Sequence, residues 1–202
     1  MGGGLSFPLV AAKRVLIFRK HAVVIMSTTT TTRKDLLKAA ECFCEAFASK
    51  RPLEDVLGFF TTTGEPVAVE HGLKHLAPFL GQTFSGHDGV KDYFSIISDL
   101  LSYEDMQFSD YIVDTETMKV SVRGRASFTW KSTSKSWPEI FTYSLEFDRD
   151  LKIKTYEVWA DSGAAYLASR GELCMFFFFL SLYKTEKKKN QIQNQLCRYH
   201  II

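Results

Sequence analysis

Glu70 and His71 stand side by side, with His75 four residues on. A histidine next to a carboxylate can act as a general base, because imidazole titrates near neutral pH. The same pair can equally satisfy backbone groups of a tight loop. Asp161 lies two residues beyond Trp159, where a strand gives way to a helix. In an apolar pocket its carboxyl would titrate high enough to serve as a base, and at a helix start the same side chain is a favoured N-cap. Glu70, His71 and Asp161 are therefore the candidate acid–base residues. Trp130, Tyr143 and Trp159 sit near strand ends, and Tyr93 lies on a helix. With His75 they can line a pocket for a flat apolar ligand, with Tyr143 donating to a developing enolate. Ordinary core or a dimer interface would use the same rings. Asp110 alternates with Phe108 and Ile112 and can face an interior, whereas Asp114 reads as a turn residue.

Positioning these residues takes helices followed by strands. Residues 33–49 carry Leu36, Leu37, Ala40, Phe43, Cys44 and Phe47 on one helical stripe, with Thr32 as N-cap and Asp35 in the first turn. A short helix follows Pro52, then a short strand over 66–70. Residues 71–84 read as a loop, 86–89 as a turn and cap, and 89–102 as a helix with Val90, Tyr93, Phe94 and Ile97 inward. The period then changes from 3.6 to 2. Residues 104–114, 118–132, 138–148 and 151–160 read as four strands, and their short separators require antiparallel hairpins. Val120, Val122, Gly124, Ala126, Phe128 and Trp130 share one face of the second long strand. Arg123 and Arg125 share the other, on the outside of the sheet. Gly124 in mid-strand suggests a bend or bulge. Residues 162–170 form a last short helix, ended by Gly171.

The 202 residues are 46% hydrophobic and 24% charged, which suits one globular domain. The net charge of +2 is unevenly spread. Residues 1–25 hold four basic side chains and no acid, and 174–202 hold five basic and one acidic. The middle therefore has 16 basic and 22 acidic residues, a balance of −6. An acidic middle argues against nucleic acid as a partner. Cys42 and Cys44 are two apart on one helix, so they point to different faces and cannot readily pair. With Cys174 and Cys197 they read as reduced thiols of a cytoplasmic protein. No Cys/His set has zinc-ligand spacing, so no metal is expected. No Walker loop, dinucleotide fingerprint, nucleophile elbow or H-E-x-x-H occurs, and no cofactor is implied.

The domain expected from this pattern spans 33–173, between an N-terminal extension (1–32) and a C-terminal tail (174–202). Residues 1–25 fit a mitochondrial transit peptide, the myristoylation pattern at Gly2, or an over-extended start ahead of Met26. The apolar run 173–183 is about half the length a spanning helix needs, so no stable membrane insertion is expected.

The order helix, helix, short strand, helix, four long strands resembles the nuclear-transport-factor-2-like superfamily, which includes ketosteroid isomerases, scytalone dehydratases and SnoaL-type cyclases. The likeness covers about 33–171 and is most specific at Tyr156-Glu157-Val158-Trp159-Ala160-Asp161. Glu70-His71-Gly72-Leu73, Phe79-Leu80-Gly81, Phe128-Thr129-Trp130 and Trp159 to Ala164 are similar to fungal SnoaL-like members. The resemblance implies an α+β cone: a strongly bent antiparallel sheet wrapped around about three helices, open at one end, and commonly a homodimer through the sheet. No motif maps the dehydratase acid–base residues one by one, so no roles transfer with the resemblance. Three functions fit: a module binding a small apolar metabolite, a cofactor-free cyclase, isomerase or dehydratase, and an interaction domain whose cone is filled by its own aromatics.

Overall fold

The computed structural model describes residues 31–173. The N-terminal readings on 1–25, the tail, Cys174 and Cys197 lie outside the described residues. α1 spans Arg33–Ala48, α2 Leu53–Leu57, β1 Val67–His71, β2 Thr83–Ser85, α3 Gly86–Leu100, β3 Leu101–Asp114, β4 Lys119–Trp130, β5 Lys135–Phe147, β6 Ile153–Trp159 and α4 Ser162–Ser169. The strands form one six-stranded sheet in the order β2-β1-β6-β5-β4-β3.

Thr32 starts α1 through a capping box: its Oγ1 accepts from the Asp35 amide, and the Asp35 carboxylate accepts from the Thr32 amide at 2.9 Å. The predicted stripe is buried at Leu36, Ala40, Phe43 and Cys44. Phe43 meets Phe47, Phe59, Phe60 and Tyr156 edge-on, which ties α1 and the chain just after α2 to β6.

The last four strands pair antiparallel, as their short links require. β1 instead runs parallel to β6, with Glu70 opposite Val158 and His71 opposite Trp159. The chain between β1 and β6 is long enough to return β1's partner in the same direction. The stretch read as loop holds β2, which pairs with β1. Gly81 fixes this stretch: its amide donates to Glu70 O at 2.9 Å with φ of 62°. A side chain there would be strained in φ and would overlap Gly72 O.

The helix predicted at 89–102 begins at Gly86 and passes directly into β3 at Leu101. Gly124 is not a bulge, because the β4–β5 register runs unbroken across it, with Gly124 opposite Phe141. Its missing side chain makes room for the Phe141 ring. Two irregularities lie in β3, between Glu104 and Gln107 and between Ser109 and Ile112, and a third lies where β5 meets β6, between Glu146 and Phe147. Each of the two in β3 contains an aspartate at positive φ, Asp105 (54°) and Asp110 (57°), a conformation that Asp tolerates better than most residues. Two such bulges bend the long edge strand. They also turn Asp110 outward, where it pairs with Arg123 at 2.8 Å rather than facing the interior. Asp114 accepts from the Glu116 and Thr117 amides as a turn residue. Among the described residues no helix is long and apolar enough to cross a membrane.

Candidate active site

Strand alternation decides which polar groups enter the cone. In β1, Ala68 and Glu70 point inward while Val67, Val69 and His71 are half-buried. Glu70 is only 8% exposed. Tyr93, carried by α3, donates its hydroxyl proton to Glu70 Oε2 at 2.7 Å. Taking a carboxylate out of water disfavours its charged form. Burial therefore pushes the Glu70 carboxyl up to about 7; the Tyr93 hydrogen bond opposes the shift and the nearby Glu139 adds to it.

Glu139 is the second buried acid. It alternates inward with Trp137 and Phe141 along β5. Its Oε2 accepts from Trp137 Nε1 and its Oε1 from the Asp161 backbone amide. Burial raises its pKa, and these two donors hold it back. Sequence reasoning missed Glu139. The signal was available in the spacing Trp137, Glu139, Phe141, Tyr143, which puts a charged residue on an aromatic face.

Glu70 and Glu139 line one cavity with Tyr93, Tyr143, Tyr156 and Trp137. Its volume is about 60 Å3. Tyr143 and Tyr156 are stacked edge-on at 4.9 Å between centroids. Tyr156 lies between Tyr143 and Tyr93, with ring centroids 4.9 and 6.0 Å away, so phenol rings extend from Glu70 across the sheet. Burial raises the pKa of Tyr93, Tyr143 and Tyr156, which keeps them protonated donors.

The sequence-derived candidates divide accordingly. Glu70, Tyr93 and Tyr143 converge on the cavity, and Asp161 reaches its rim. Asp161 caps α4, accepting from the Ala164 amide at 3.0 Å, so its carboxylate is already engaged. His71 is on the opposite face of the sheet from Glu70, since neighbouring strand residues point to opposite sides. There it stacks on Trp159 with centroids 4.2 Å apart, and its Nε2 lies 3.1 Å from Glu157 Oε1. The carboxylate beside His71 in space is therefore Glu157. Trp159 is outward and 45% exposed and does not line the cavity. His75 is exposed in the loop, away from it. Trp130 is buried against Phe79 and donates to Ser132 Oγ, outside the cavity wall. No group of three or more His, Cys, Asp or Glu side chains gathers to hold a metal among the described residues.

The sequence matches no protein-family model and no curated protein. Solved structures do match. An NTF2-like protein of unknown function from Burkholderia pseudomallei is 17% identical, with a TM-score of 0.56 over 68% of this chain and 98% of its own. TerC, co-crystallised with polyporic acid, is 18% identical with a TM-score of 0.55, over 67% of this chain and 98% of its own. The pinacolase BvnE from Penicillium brevicompactum is 14% identical with a TM-score of 0.52, over 70% and 95%. Residues 31–173 thus have the NTF2-like α+β fold.

Proposed function

We propose that the cavity binds a small, largely apolar carbonyl compound and moves a proton on it without a cofactor, with Glu70 as the base. The observation that supports this most is Glu70 itself, a carboxyl group enclosed by aromatic rings and tuned to about 7. A base of that strength is partly ionised at neutral pH and can both take a proton and return it. Ionised Glu70 removes a proton from the carbon beside the carbonyl. The C–H electron pair moves onto the carbonyl oxygen as an enolate, to which Tyr143 donates a hydrogen bond. Where a β,γ double bond conjugates with that enolate, protonated Glu70 then delivers the proton to the γ-carbon; the electrons shift to form an α,β double bond and restore the carbonyl, which completes an isomerisation. Tyr93 is a positioning residue, because its proton is committed to Glu70 Oε2. A neighbour named a pinacolase and another crystallised with polyporic acid agree with such a use of the fold, and at their low identities they contribute no more than that.

Deuterium exchange tests the proposal. A panel of cyclic ketones and enones is incubated with the protein in D2O, and label at carbon is read by mass spectrometry. Glu70→Gln should lower the exchange rate by roughly a hundredfold or more. Exchange on no compound, or exchange indifferent to Glu70, would leave a cavity that binds without turnover.

A second copy of the chain is the proposed partner, through the outer face of the sheet. Ile112 and Ile140 on that face are 70% and 73% exposed, and Trp159 joins them. Each stands in its own cross-strand row among polar neighbours, and large apolar side chains left exposed on one face favour burial against a partner. The cytoplasm remains the compartment expected for this reading.

A further inference from the structure

The inner cavity is too small for the ligand it is shaped to recognise. Its volume of about 60 Å3 falls below the roughly 300–1,000 Å3 of ordinary ligand sites. A second apolar space, about 200 Å3, lies beside it, between the end of α1, α2, α3 and the start of β3. Five side chains line both: Phe47, Phe94, Ile97, Leu101 and Tyr103. Beyond them the outer space is walled by Leu53, Val56 and Ala46, with Ser98 and Arg51 at its edge. The polar groups are segregated, since both buried carboxylates belong to the inner end alone.

Tyr103 stands in the shared wall: its hydroxyl donates to Phe47 O at 2.8 Å, its ring centroid lies 6.0 Å from that of Phe128, and the Lys50 ammonium lies 5.6 Å from the ring centre. The Phe47 carbonyl also accepts from the Lys50 amide at 2.9 Å. Withdrawing the tyrosine leaves the carbonyl satisfied, so rotation of the ring strands no buried acceptor. Ile97, also shared, is only half-buried on α3.

We propose that the two spaces form one elongated site with Tyr103 as the gate between them. The ligand class is a carbonyl head carrying a linear or prenyl-like apolar chain: the head meets Glu70 and Tyr143, and the chain passes Tyr103 into the groove beside Leu53 and Val56. This rests on reading the Glu70 cavity as a small-molecule site, and it adds the substrate's shape.

The test is binding, not turnover. A series of 2-alkanones of increasing chain length is titrated by calorimetry. Affinity should rise by about fourfold per methylene once the chain is long enough to pass Tyr103, because each buried methylene adds a constant increment. Ser98→Trp and, separately, Leu53→Trp fill the groove from its two sides; in either, short and long ketones should bind alike. Tyr103→Phe should speed association of the long ketones. A flat chain-length profile in the native protein would overturn the elongated site, as would a gain that survives both tryptophan variants. Those results are separable from a failure of Glu70 chemistry, which the deuterium experiment reads on compounds with no chain.

Discussion

The phenol of Tyr93 crosses from α3 to β1 and donates to Glu70 Oε2 at 2.7 Å, inside a cavity whose walls are mostly aromatic. Two opposing effects therefore set the Glu70 proton affinity. Desolvation raises it, and the tyrosine, which favours the charged form, lowers it. Tyr93→Phe removes the second effect alone. Glu70 should then titrate above 7, seen as an upward shift of its carboxyl band in infrared titration. The lost buried hydrogen bond should cost about 1–3 kcal/mol of stability. An unchanged titration would mean that the tyrosine does not contact the acid in solution.

Glu70 also makes stability depend on pH with a definite sign. Its ordinary value is 4.5 and its folded value about 7. Between those values the folded chain keeps a proton that the unfolded chain has released. Its contribution favours folding at the acid end and is lost as pH rises through the window, by about 1.4 kcal/mol per pH unit at most. Urea unfolding from pH 4.5 to 7 should show that decline, and Glu70→Gln should remove most of it. Glu139, raised in the same direction, leaves a smaller residual slope. A Glu70→Gln profile parallel to the native one would place the acid in water.

His71 illustrates where sequence reading stops. The period-2 pattern identifies the four antiparallel strands, the 3.6 period the α1 stripe, and residue type the Thr32 cap, because each is a local property. The same period assigns Glu70 and His71 to opposite faces, but only once residue 71 is known to belong to the strand. Read as the start of a loop, it seemed free to join Glu70. Glu139 was hidden for the converse reason, since burial of an acid depends on what the sheet wraps. The parallel pairing of β1 with β6 joins residues more than eighty positions apart, which no local pattern encodes. In consequence His71→Ala should leave Glu70-dependent deuterium exchange unchanged, and a tenfold loss would contradict the outward placement.

Gly124 lies opposite Phe141, and a Cβ added there would overlap the phenylalanine ring. The ring cannot retreat easily, because it packs at 4.9 Å from Tyr143 and 6.0 Å from Phe108. Gly124→Ala should destabilise by about 1–3 kcal/mol, the usual cost of overpacking, and lower the melting temperature. Phe141→Leu on that background should recover part of the loss, since it vacates the clashing volume. A Gly124→Ala protein as stable as the native one would show that the sheet opens at this point.

The outer face of the sheet separates a partner surface from mere exposure. Cross-strand register aligns Trp159 with Thr142 and Arg123, and Ile112 with Ser121 and Ser144, so the apolar residues are set in a polar field on one surface. The arginine is already paired with Asp110, which lowers the charge a second copy would have to desolvate. Ile140→Lys replaces an exposed apolar side chain of that face, opposite Arg125, with a further positive charge that a partner would have to desolvate. Sedimentation velocity should report a dimer for the native chain and a monomer for Ile140→Lys, with Glu70-dependent exchange retained in both. A native monomer at micromolar concentration would assign this face to solvent or to a different partner. A dimer that tolerates the lysine would assign the contact to another surface.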